Sequence, residues 1–297
     1  MIIKESVLLK DKNTFKIGGL ASYYAEPSDE NEVLYCVNWA KDKNLPIFIL
    51  GRGSNVLISD LGWNGLVVNL SANFCGISWN RQCVNVLGGS SLNSVCSQAC
   101  KNGLEGLEEL AGIPGTVGGA VLMNAGAFNA EIANSVKAVR YYDCSSLEIK
   151  EIENVDMNFG YRKSIFQNFD NIILNVALEL TSGKSSDELE KVRAGIIQKR
   201  NLKQPVQYPN CGSVFKRPGG NYAGTLIEKC GLKGFRVGDV EISEKHANFI
   251  INRGNGTARD VREIIVRVQE TVFKECGIIL EPEVIFVGEF EKPLFRV

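Results

Sequence analysis

The chain has 297 residues, 44% of them apolar and 23% charged, and a formal net charge of -1 from 33 basic and 34 acidic side chains. That length allows two or three packed units, and the near-neutral balance argues against nucleic acid or an anionic membrane as a partner. The N-terminal stretch "MIIKESVLLKDKNTFK" is interrupted by Lys4, Lys10 and Asp11, which is too broken for a signal peptide. No apolar run approaches a membrane span, so a cytoplasmic protein is expected.

In chain order, apolar residues at 33, 34, 37 and 40 predict a helix over 29–44. "LPIFIL" follows as a β run, then the loop "GRGSN" (51–55) and the strand "GLVVNL". Further β runs are "QCVNVLGG", "SVKAVRYYD" and "NIILNVALEL", with a helix over 91–102 and a glycine-rich segment over 106–128 between them. "TSGKSS" reads as a linker, and Ser185 with Glu188 forms a capping box that opens the next helix. "PNCGSVFKRP", a short helix ending at Gly231 and "EKHANFIIN", read as a strand, come next. Thr257 then caps a helix with Val261, Ile264, Ile265, Val268 and Val272 on one face, and "GIILEPEVIFVGEF" closes the chain as a strand. Strands and helices mix without a strict βαβα rhythm, which predicts an α+β fold. The boundaries are set at 1–64, 65–182 and 183–297.

Nine cysteines are scattered without C-x-x-C spacing, so neither a metal site nor dithiol chemistry is expected. Cys96 and Cys100 share a helix face and read as small buried side chains. His246 is the only histidine and no G-x-S-x-G elbow is present, which argues against hydrolase chemistry at Ser213. "GRGSN" suits a phosphate cradle or a plain turn equally well. "AGIPGTVGGAV" has four glycines in eleven residues and reads either as a cofactor loop or as a tight internal crossing. Two such loops favour a diphosphate-bearing cofactor, a dinucleotide being the obvious candidate.

The motifs "NTFKIGG", "LGRGSNVLISD", "LAGIPGTVGGAVLMNAGAF", "GYRKS", "NCGSVFKRP", "SEKHANFIIN" and "LEPEV" occur in this order over roughly residues 13 to 288. Together they resemble the UDP-N-acetylenolpyruvoylglucosamine reductase family, flavoenzymes of bacterial peptidoglycan synthesis. The short interval from Arg162 to Ser213 is similar to the family's compact class. Asp239 and Arg217 depart from the usual pattern, at positions where small residues and asparagine are common.

The resemblance implies a two-lobed FAD-binding region of the vanillyl-alcohol-oxidase/PCMH type over 1–64 and 65–182. An α+β domain for the UDP-sugar would then occupy 183–297. It implies FAD at Gly51, Arg52, Gly53, Ser54, Asn55, Gly112, Ile113, Pro114, Gly115, Thr116, Gly118, Gly119 and Ala120. The flavin is expected to be noncovalent, since the sole histidine lies in the C-terminal domain. NADPH is the implied reductant, UDP-N-acetylglucosamine enolpyruvate the substrate, and a monomer the expected form. Hydride reaches the enolpyruvyl C3 and leaves a carbanion at C2 beside a carboxylate.

By motif match, Arg162 is the arginine that meets this charge, Ser213 the proton donor to C2, and Glu283 the last catalytic carboxylate, expected in a protonated form with raised pKa. Period-two spacing puts Glu281 and Glu283 on the same strand face, so only the resemblance selects Glu283. Tyr208, Lys216 and Asn248 are the candidate substrate contacts. The rival expectations are an oxidase of the same fold, a nucleotide-sugar binder without chemistry, and a glycine-rich structural protein.

Overall fold

The computed structural model describes residues 1–128, 130–168 and 171–290. The chain forms two compact units, one made of residues 1–3, 24–52 and 66–199 and the other of 4–23, 53–65 and 200–297.

In the first unit, helix α1 (Glu30–Asp42) starts where the Asp29 carboxylate accepts the Glu32 N–H at 2.9 Å, the N-cap arrangement of a short acidic side chain. Ile47–Leu50 runs parallel to Leu66–Asn69. The main sheet is antiparallel, with strands in the spatial order Glu148–Glu153, Val136–Asp143, Asn171–Glu179, Cys83–Leu87 and Ile77–Asn80. Alternation sets its faces: Val84 and Val86 are buried while Asn85 between them is exposed. Helices α2 (Leu92–Lys101) and α3 (Val117–Leu122) share one core with those valines, through Val95, Ala99, Val117 and Val121. Cys96 and Cys100 lie in the buried face of α2, as their spacing predicts.

Helix α3 is a departure from the sequence reading, because two glycines fall in its first turn. Gly118 explains it. Its N–H donates to the Gly88 carbonyl at 2.8 Å, and a Cβ at 118 would stand 2.9 Å from that oxygen. Thr116 caps the helix by accepting the Gly119 N–H at 3.2 Å. The helix cost of glycine, about 1 kcal/mol each, is met by the packing that a missing side chain permits. The linker reading of "TSGKSS" also needs correction. Thr181–Ser182 pairs with Leu104–Glu105, and only then does the Ser185–Glu188 capping box open α4 (Ser186–Lys203).

The second unit holds a four-stranded sheet in the order Asn210–Ser213, Phe249–Asn252, Val240–Ile242 and Arg236–Val237, all neighbours antiparallel. Helices α5 (Ala223–Lys229) and α6 (Ala258–Cys276) share its core. On α6 the five apolar residues named from spacing are at most 1% exposed. Thr257 and Asp260 form a capping box, and the Asp60 carboxylate accepts the Ala258 and Arg259 N–H groups. Gly277 ends the helix at a φ of 68°, the left-handed conformation that glycine adopts without a Cβ penalty.

Two strands are shorter than expected. In "EKHANFIIN" only Phe249–Asn252 is a strand. The Ser243 hydroxyl accepts the Lys245 and His246 N–H groups and turns the chain before it. Within "GIILEPEVIFVGEF" only Ile285–Val287 is a strand, parallel to Val56–Ile58. Pro282 has no N–H to offer, and the chain there makes a single bridge to Phe215. The architecture is α+β.

Candidate active site

The loop 51–55 follows the strand Ile47–Leu50 at its carboxyl end. None of its five backbone N–H groups donates to another described residue, and the Arg52 guanidinium and Ser54 hydroxyl have no partner among them either. Gly53 sits at φ 63°, and a Cβ there would meet the Asn13 Cβ at 2.6 Å, so only glycine fits. Asn55 is tied down: its side-chain amide donates to the Glu283 carbonyl at 3.2 Å, and its own carbonyl accepts the Ile285 N–H at 3.0 Å. N–H groups and a guanidinium without partners among the described residues, all in one five-residue loop, are the donor types an anionic diphosphate requires, so these residues fit a dinucleotide cofactor.

The second glycine segment works differently. The N–H groups of Gly112, Ile113, Gly115, Val117, Gly118, Gly119 and Ala120 all have internal acceptors. Its glycines serve close approach. Gly118 rests on Gly88, and a Cβ on Gly51 would stand 2.6 Å from the Thr116 hydroxyl, which brings the two glycine loops into contact. Pro114 and Gly119 are exposed, while Thr116 and Ala120 are buried. The crossing anticipated as an alternative is therefore present. It leaves shape, rather than N–H donors, as what this segment offers a cofactor.

Arg162, in the first unit, occupies a two-residue turn closed by reciprocal bonds between Gly160 and Lys163 at 3.0 and 3.1 Å. Its φ is 53°, a left-handed backbone that a non-glycine residue adopts at a cost of about 1 kcal/mol. The guanidinium donates to the Gly126 carbonyl at 3.1 Å and lies 5.1 Å from the Tyr161 ring. Asn124, which the sequence reading missed, holds the turn. It is fully buried, donates to the Gly160 carbonyl at 2.9 Å and the Glu131 carboxylate at 2.8 Å, and accepts the Ala133 N–H. The only sequence signal was a lone polar residue closing the run "GGAVLMN".

In the second unit the structure brings Ser213, Lys216, Asn248 and Glu283 onto neighbouring backbone. Ser213 ends its strand opposite Phe249. The next residue, Val214, donates its N–H to the Asn248 carbonyl at 2.8 Å and accepts the Glu283 N–H at 2.7 Å. Ser213 is half-buried, and its hydroxyl makes no hydrogen bond among the described residues. Glu281 and Glu283, which spacing left equivalent, differ here. Glu281 is exposed and pairs with the Lys216 ammonium at 2.5 Å, whereas Glu283 is half-buried. Asn248 is 7% exposed, with its amide engaged by the Phe215 backbone. Tyr208 stacks 4.4 Å from Arg253, whose guanidinium is bidentate to the buried Glu241.

The two departures from the family pattern have local partners. Asp239 pairs with Arg236 at 2.6 Å, and Arg217 lies 4.4 Å from the Tyr222 ring. Cys211 is buried, and burial pushes its thiol up to about 12, too high for a nucleophile. Cys96, likewise raised by burial to about 12, is inert for the same reason. A cavity of about 570 Å³ lined by Asp60, Leu61, Arg262, Arg267, Glu270 and Phe290 includes none of the candidate catalytic, cofactor or substrate residues. Among the described residues no helix is long and apolar enough to cross a membrane.

Residues 21–148 match the FAD binding domain family, and residues 204–287 match the C-terminal domain of UDP-N-acetylenolpyruvoylglucosamine reductase. The reductase of Caldicellulosiruptor saccharolyticus is 42% identical, over 97% of this chain and 93% of its own. That of Clostridium tetani is 39% identical, over 97% and 92%. The crystal structure of the reductase from Thermus caldophilus superposes with a TM-score of 0.82 at 35% identity, covering 97% of this chain and all of that one. With an FAD-binding domain, the reductase C-terminal domain and relatives aligned along nearly its whole length, this chain belongs to the UDP-N-acetylenolpyruvoylglucosamine reductase family of FAD-dependent oxidoreductases.

Proposed function

We propose that this protein reduces UDP-N-acetylglucosamine enolpyruvate to UDP-N-acetylmuramate for peptidoglycan synthesis, drawing its electrons from NADPH. The observation that carries the reading is the unbonded, half-buried Ser213 hydroxyl, one residue from a peptide anchored to Glu283. A serine serving only as a turn residue would have its hydroxyl satisfied by backbone.

FAD is held noncovalently by residues 51–55, whose free N–H groups and Arg52 suit its diphosphate, and by the surface of residues 112–116 and 118–120. When bound, FAD supplies the hydride that reaches C3 of the enolpyruvyl group. Negative charge then develops at C2 beside the substrate carboxylate. Arg162 meets that carboxylate with parallel N–H donors and stays charged at any working pH. Ser213 gives its Oγ proton to C2, which is basic enough to take it from an alcohol. Glu283 acts in its protonated form and donates a hydrogen bond to the developing charge, which an ionised carboxylate would oppose. Lys216 and Tyr208 contact the UDP-sugar. Segments 1–64 and 65–182 serve the flavin and 183–297 the sugar nucleotide, in a monomeric cytoplasmic enzyme.

Anaerobic stopped-flow absorbance tests the reading. NADPH should bleach the flavin of the purified protein, and UDP-N-acetylglucosamine enolpyruvate should restore its colour. Recovery only on admission of oxygen would favour an oxidase, and a colourless protein would remove the cofactor assignment.

A further inference from the structure

The ladder between Asn210–Ser213 and Phe249–Asn252 ends at the pair Ser213–Phe249. Asn248 lies one residue past that last rung, where the backbone has already entered the turn made by Ser243 and His246. Its side chain continues the pairing. The Asn248 Oδ1 accepts the Phe215 N–H at 3.0 Å, and its Nδ2 donates to the Phe215 carbonyl at 2.9 Å. A carboxamide carries the same donor and acceptor as a peptide unit, so it can stand in for a missing rung. On the opposite edge of the same segment, Val214 accepts the Glu283 N–H at 2.7 Å and Lys216 donates to the Glu281 carbonyl at 2.9 Å. Residues 214–216 are thus held between Asn248 and the chain that bears Glu283.

We infer that Asn248 is a positioning residue for proton transfer, its buried carboxamide fixing the Ser213 segment against the Glu283 segment without touching the UDP-sugar. This replaces its expected role as a substrate contact, and it rests on the reductase reading above. Both polar ends of the amide are engaged by Phe215 and the residue is 7% exposed, which commits the carboxamide to backbone pairing in a buried setting. Removing the clamp leaves the Phe215 N–H and carbonyl unpaired in a buried setting, and the strand shifts to satisfy them. A displacement of that order at a catalytic group lowers the rate of its step while binding elsewhere persists.

The test compares wild type with Asn248→Ala and Asn248→Asp in separate half-reactions. Asn248→Asp keeps the shape and the bond to the Phe215 N–H while removing the donor. Reduction of the flavin by NADPH should stay within about twofold of wild type, and substrate affinity for the oxidised enzyme within about threefold. Reoxidation at saturating substrate should slow by about tenfold or more in both variants. Weakened affinity with an unchanged saturating rate would make Asn248 a substrate contact and overturn the inference. Equal slowing of both half-reactions, or an Asn248→Asp protein that no longer holds FAD, would make it general scaffold and overturn it too. Wild-type flavin that the substrate does not reoxidise would instead refute the reductase reading itself.

Discussion

Several buried or half-buried hydroxyls in this protein donate to a backbone carbonyl. Thr14 bonds Asn210, Ser59 bonds Glu289, Ser90 bonds Gly76 and Ser164 bonds Leu122, all between 2.6 and 3.0 Å. Ser213 differs from them in having no such partner, which is what a hydroxyl kept for a substrate requires. Arg162 carries the opposite mark, a left-handed backbone where glycine would be more comfortable. Arg162→Gly is expected to leave the free energy of unfolding within about 1 kcal/mol of wild type, relief of strain offsetting the lost contacts. The same change should abolish reoxidation by substrate. Denaturant melts beside the half-reaction assay check this, and a large destabilisation would give the arginine a structural role.

His246 has a part in stability. Burial lowers its pKa from the ordinary 6.5, Lys233 acting in the same direction and a backbone hydrogen bond and Glu228 against it. Its Nδ1 accepts the Asn248 N–H at 3.3 Å, which requires the neutral ring. Below pH 6.5 the unfolded chain binds the proton that the folded chain refuses, so stability falls as pH drops and is unaffected above that value. Urea midpoints measured between about pH 7 and pH 5 should decline for wild type and flatten for His246→Gln in that window. A slope unchanged by the substitution would assign the effect to other groups. Residue identities for the site were legible as motifs. Asn124 was not, because the turn it holds through the Gly160 carbonyl lies 36 residues away and leaves no local pattern.

At the scale of elements, the apolar stripe and caps of α6 were readable because helical spacing and capping are local. Helix α3 was not, since the carbonyl that explains Gly118 belongs to Gly88, thirty residues earlier. The strand ends also escaped, because a serine hydroxyl at 243 and a proline at 282 ended the ladders inside apolar runs. The two glycine loops looked alike in composition and do different work. The first has free N–H groups, whereas the second is glycine-rich so that backbones can meet. Gly118→Ala should therefore destabilise the fold by about 1–3 kcal/mol, as overpacking does. Thermal unfolding of protein stripped of FAD would show it, and a loss seen only with FAD bound would mean the glycine faces the cofactor.

For the whole molecule, composition and charge described a globular chain, the mixture of strand and helix patterns an α+β fold, and the motif order carried the family. The course of the chain was harder to read. Residues 4–23 and 53–65 belong with residues 200–297, joined by bonds such as Thr14 to Asn210 and Asn55 to Glu283 across separations of 196 and 228 residues. Nothing local encodes such pairings, since each is decided by which surfaces remain to be covered after the nearer elements have packed. The consequence for function is that the loop suited to the diphosphate ends on the segment that bears Glu283.

The central claim is that the free hydroxyl of Ser213 delivers the proton. The most direct measurement is the rate of flavin reoxidation by UDP-N-acetylglucosamine enolpyruvate in Ser213→Ala, under anaerobic stopped-flow conditions. The account predicts a fall of about 10²- to 10⁴-fold, the usual contribution of a general acid. Reduction by NADPH and the unfolding midpoint should be unchanged, because the hydroxyl holds nothing else in place. Reoxidation at the wild-type rate would contradict it and leave Ser213 as an ordinary strand-end residue.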